Sequence, residues 1–100
     1  MNSTQSLAER LAERLWTACE HSREVGCFQN TFEQLLRKHD VVNAVRHLIM
    51  SPDLVNSLKE LAHCGRLDLA PELIMQEPEY RKLFNDAELA AAKHRLKALL

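Results

Sequence analysis

Gly65 to Phe84 reads GRLDLAPELIMQEPEYRKLF, a stretch too apolar for a loop and too interrupted for one helix. Pro71 and Pro78 stand where new helices can begin, because proline at a first helical position has no N–H to leave unbonded. Leu67, Leu69, Leu73, Ile74, Tyr80, Leu83 and Phe84 supply apolar anchors between and beyond them. The expected structure is two short helices clamped to a core. Arg66 and Asp68 are expected to cap helix ends, and Glu72 falls in the first turn after Pro71, where a carboxylate suits the helix dipole.

A clamp needs a surface to close on, and helical patterns on both sides of it supply one. After it, Asn85 with Glu88 makes a capping box that launches a last helix through Ala87, Leu89, Ala90, Ala91, Leu96 and Leu99, with Lys93, His94, Arg95 and Lys97 late in it. Before it, Ser51-Pro52 starts a helix running to about His63 on Leu54, Val55, Leu58, Leu61 and Ala62, and Gly65 closes it. Asp40 caps VVNAVRHLIM, apolar around more than half its circumference and so the central helix. Asn30 and Glu33 form a further capping box ahead of Phe32, Leu35 and Leu36. Ser6 and Glu9 cap a first helix whose inner face carries Leu7, Leu11, Leu15, Trp16 and Cys19, and Gly26 ends it. The fold class is therefore all-α, a compact single-domain bundle of about five main helices plus short helical turns over residues 1–100.

Composition narrows the function classes. With 46% hydrophobic and 27% charged residues, the chain is too apolar for disorder and too charged for a membrane protein. Thirteen basic against fourteen acidic side chains leave a net charge of -1, without the field that drives nonspecific binding to phosphate backbones. The amino-terminal segment turns charged before a signal-peptide core could form, and no window approaches a membrane span. The expected location is the cytoplasm. Cys19, Cys27 and Cys64 are odd in number and widely spaced, which reads as reduced, partly buried thiols rather than a disulfide framework.

The constellations that could carry chemistry are sparse. The histidines and cysteines lack the paired spacing of zinc ligands: Cys19 and His21 face different sides of a helix, and His63-Cys64 is an adjacent pair. His39-Asp40 and His63-Cys64 come without a nucleophile elbow, oxyanion loop or glycine-rich turn. No catalytic residue, metal site or cofactor site is expected, and the chain is read as a non-enzyme. The bases Arg37, Lys38, Arg46 and His47, and later Arg81, Lys82, Lys93, Arg95 and Lys97, lie near acidic residues or at helix C-termini, where cations are structurally favoured. VVNAVRHLIM is too apolar for a DNA recognition helix. What remains is recognition of another protein. Trp16, Phe28, Met75 and Tyr80, with the bases Arg37 and Lys38, are the candidate interaction surface, since aromatics, methionine and arginine concentrate binding energy.

Three blocks of residues resemble a family of small bacterial helical proteins to which no activity is attached. The first runs from Leu15-Trp16 through Glu24-Val25-Gly26-Cys27-Phe28 to Phe32, and the second is Ala44 to Ile49. The third is Gly65-Arg66-Leu67-Asp68-Leu69, then Glu72, Pro78, Tyr80, Leu83-Phe84, Glu88, Ala92, Arg95 and Leu96. The chain departs from the pattern at His39-Asp40, where the family has a glycine-rich turn, and at Ala70-Pro71, where it has threonine or serine. The resemblance implies the same helical fold and an accessory or binding role. The expected function is thus a protein-interaction module, in one concrete form a phage or mobile-element inhibitor of a host complex, with a DNA-binding transcriptional regulator as the second reading.

Overall fold

The structure, a computed structural model, describes residues 6–51 and 56–99. Five helices of eight residues or more carry it: α1 (Leu7–Glu24), α2 (Asn30–Lys38), α3 (Val41–Met50), α4 (Asn56–His63) and, after the clamp, α6 (Asp86–Lys97). Between α4 and α6 lie a 3-10 turn at Leu67–Leu69, the one-turn helix α5 (Pro71–Ile74) and a 3-10 turn at Arg81–Leu83. The described residues hold no strand, so the chain is all-α.

Helix starts follow local chemistry. The Ser6 and Asn85 side-chain oxygens accept the backbone N–H groups of Glu9 and Glu88, whose carboxylates accept the cap N–H in return, so both capping boxes form. Asp40 accepts from the Asn43 amide and opens α3. The box expected at Asn30 and Glu33 does not form: the N-cap of α2 is Gln29, with no side-chain cap bond. Gln29 is instead buried, and its amide donates to the Ser22 hydroxyl, which donates to the Ala18 carbonyl.

Two helices end in the same way. Gly26 (φ 81°) and Gly65 (φ 70°) adopt the left-handed conformation. The N–H of each glycine and of the residue after it turn back to helix carbonyls: Gly26 to Arg23, Cys27 to Ser22, Gly65 to Ala62 and Arg66 to Leu61. This is the paired bonding of a Schellman motif, which satisfies the orphan carbonyls of α1 and α4.

The core centres on α3, whose Val41, Ala44, Val45, Leu48 and Ile49 are buried and which packs against α1, α2, α5 and α6. Leu11, Leu15, Ala18 and Cys19 of α1, Phe32 of α2, Leu58 and Leu61 of α4, and Ala92 of α6 complete the layer around it. The expected contributions of Pro52, Leu54 and Val55 to α4 lie outside the described residues.

The Gly65–Phe84 clamp closes on this core with Leu69, Ala70, Ile74, Met75, Tyr80 and Phe84. Pro71 opens α5 as expected. Pro78 does not open a helix: it sits in a turn ahead of the 3-10 segment, so the clamp is three short pieces rather than two helices. Arg66 stands at the N-cap of the first 3-10 turn and its N–H closes α4, but neither its side chain nor that of Asp68 caps a helix; the two pair with each other through hydrogen bonds of 3.0 and 3.1 Å. Glu72 is buried, and its carboxylate accepts from Arg95 of α6 at 3.0 Å, while Arg95 also donates to the Ser51 carbonyl at the end of α3. That buried pair ties clamp, central helix and last helix together; Arg95 is an internal ligand rather than a surface cation favouring the helix end.

Candidate interaction surface

The residues expected to form one contact surface fall in three places. Met75 is fully buried and Tyr80 only 6% exposed, so both belong to the core and are withdrawn as contact anchors. Their burial follows from the clamp, which turns its apolar side chains inward. Tyr80 reaches the floor of a cleft of about 350 Å³ lined by Arg10, Glu13, Arg14, Thr17 and Glu79. Burial first, then the Glu79 carboxylate, raises its phenol above the usual range. Ion pairs Arg10–Glu79 (3.0 Å) and Arg14–Glu77 (3.1 Å) lace α1 to the turn before the 3-10 segment.

Trp16 and Arg37 come together at the crossing of α1 and α2, with the guanidinium 5.5 Å from the indole centroid, within cation–π range. Arg37 and Arg23 both pair with one oxygen of Glu33. Glu33 is 1% exposed, and its second oxygen, Oε2, has no hydrogen-bond partner. Beside it, burial and then the Glu33 charge push the Cys19 thiol up to about 12. Lys38 is exposed at the end of α2.

Phe28 stands apart, on the turn between α1 and α2, and is 53% exposed. It has a neighbour absent from the sequence-based set: Val25, 40% exposed, on the other side of Gly26 and Cys27. A signal for it existed in the sequence. A Schellman motif commonly has one apolar residue after its glycine, turned back onto the helix, and Val25-Gly26-Cys27-Phe28 carries two more than that contact can use. Cys27 between them is buried and joined to Cys64 at the end of α4 by a disulfide across 37 residues. The reading of all three cysteines as free thiols is therefore corrected for this pair, and Cys19 alone is a free, buried thiol. Wide spacing along the chain misled, because packing across the chain brings the ends of α1 and α4 side by side.

Met50 and Leu73 are the other large apolar side chains exposed among the described residues. Met50 lies with Asn43, Arg46 and His47 around a cleft of about 250 Å³, beside the stacked His39 and His47 rings, 4.3 Å apart. The described residues contain no group of three or more His, Cys, Asp or Glu side chains arranged to hold a metal ion. No described helix is long and apolar enough to cross a membrane.

The basic side chains are largely engaged internally. Arg10, Arg14, Arg23, Arg37, Arg46, Arg66 and Arg95 each pair with a carboxylate, and Arg81 donates to the Gln76 carbonyl. In comparisons with protein-family models, curated proteins and solved structures, nothing matches the chain.

Proposed function

We propose that this chain is a small helical interaction module, without catalytic activity of its own, that binds another protein through the turn between α1 and α2. The supporting observation is the pair Val25 and Phe28, exposed by 40% and 53% on a turn whose backbone is fixed by the bonds of the α1 Schellman motif. A rigid turn presenting apolar side chains loses little entropy on docking, so the area it buries is converted efficiently into affinity. Trp16 and Arg37 offer a second, more polar contact on the adjoining α1–α2 face. A module of this kind works by occupying a surface of a larger assembly, and blocking a host complex in the bacterial cytoplasm is the concrete form proposed. The second reading, a DNA-binding regulator, is disfavoured by arginines already paired with carboxylates and by the net charge of -1.

Co-purification with wild-type and Phe28→Ala chains, followed by calorimetry with the isolated partner, tests the proposal. Removing a phenyl ring that becomes buried costs about 1.5–3 kcal/mol, so affinity falls roughly 10- to 150-fold while thermal stability holds. A variant that keeps every partner at full affinity refutes the assignment of the turn. Submicromolar, salt-sensitive binding to duplex DNA would replace the reading with the regulator.

A further inference from the structure

We propose that Cys27 and Cys64 are a reversible dithiol–disulfide couple that locks the α1–α2 turn against the end of α4. It rests on the reading of that turn as the contact surface, and adds its regulation. Two features of the pair favour a reversible couple over a permanent staple.

The first is asymmetry of access. Cys64 is exposed whereas Cys27 is 4% exposed, so a soluble thiol or disulfide meets only Cys64. The second is accommodation of both states. Cys27 Sγ lies 3.6 Å from the Glu60 carbonyl, which gives the reduced thiol an acceptor for its S–H where it stands. A disulfide with one exposed end belongs to the readily reduced class. The remaining cysteine does not interfere, since Cys19 is buried and its thiol stays protonated.

The oxidant is a small-molecule disulfide of the glutathione class. The Cys64 thiolate attacks one of its sulfurs, forming a mixed disulfide and expelling one thiolate. Cys27 then attacks Cys64 Sγ, its proton passes to solvent, and the second small thiolate leaves. Two protein thiols become one disulfide, and the small disulfide is reduced to two thiols that carry off the electron pair and take up both protons. Reduction retraces these steps, with attack on exposed Cys64 and Cys27 as leaving group. Closing the bond anchors the middle of Val25-Gly26-Cys27-Phe28 to α4; opening it leaves the turn to its backbone hydrogen bonds.

The wild-type chain equilibrated in glutathione buffers of graded ratio, then alkylated and peptide-mapped by mass spectrometry, tests the couple. Conversion from nearly all dithiol to nearly all disulfide, with the cross-link mapped to Cys27 and Cys64, is expected. Amide exchange at Gly26 and Cys27 is expected to slow at least about tenfold in the oxidised chain. No cross-link at any ratio, a cross-link containing Cys19, a disulfide that survives reduced glutathione, or unchanged exchange each overturns the proposal. Neither readout needs a partner, so a failed search for one leaves this result standing and a failed couple leaves the contact surface to its own test.

Discussion

Cys19 sits on the inner face of α1 with its thiol pushed up to about 12, burial being the larger cause and the Glu33 carboxylate the next. A thiol whose folded pKa lies above its ordinary value of 9.0 contributes stability that is fully present below about 9 and is lost as pH rises toward about 12, because the unfolded chain releases the proton first. Unfolding free energy should fall in that window by at most about 1.4 kcal/mol per pH unit from this group. Urea titrations at pH 8 and pH 10.5 measure it, and Cys19→Ala should shallow the slope; an equal slope in the variant rejects the assignment to Cys19, since Tyr80, also raised, titrates in the same direction. At Glu33 the sequence pattern misleads for a physical reason. Its position three residues after Asn30 fits a capping box, but the carboxylate gains more from Arg23 and Arg37 than from one backbone N–H. The partner Arg23 is on another helix, so no local window contains it.

The two glycine-ended helices are the elements on which the proposed surface depends. Gly26 and Gly65 hold φ of 81° and 70°, and a methyl group at either would touch nothing within 4 Å. The cost of alanine is therefore purely conformational, about 1–2 kcal/mol for a left-handed residue with a Cβ. Gly26→Ala and Gly65→Ala should each lower stability by that amount in chemical denaturation, whereas a loss below about 0.3 kcal/mol would mean that the turn re-forms without strain. Both stops were legible in the sequence as glycines after periodic apolar runs, and so were the caps at Ser6, Asp40 and Asn85. These signals act within five residues and hold where no distant partner competes, as the arginines do for Glu33. Pro78 shows the limit: proline permits a helix start but does not compel one, and Tyr80 and Phe84 are drawn inward before a regular turn can form.

At the scale of the whole molecule, the clamp from Gly65 to Phe84 and α6 beyond it are part of the only core among the described residues, since Ile74, Met75, Tyr80, Phe84 and Ala92 share it with α1 and α3. A chain ending at Cys64 should lose its cooperative thermal transition, because α3 would expose the face covered by α5 and α6. A sharp melt of that fragment would show instead that α1 to α4 fold alone. The contact candidates divide along the same line. Aromatic and methionine identity singled out Trp16, Phe28, Met75 and Tyr80, but burial withdrew Met75 and Tyr80 and added Val25. The sequence by itself determined the all-α class, the caps at Ser6, Asp40 and Asn85, the glycine stops and the inward face of the central helix, because each is set by hydrogen bonds and periodicity within a few residues. Only the tertiary structure decided the Glu72–Arg95 pair, the Glu33 cluster, the meeting of Cys27 with Cys64 and which apolar side chains face water. Those depend on which helix ends come to lie together, and that is fixed by packing across the chain rather than along it.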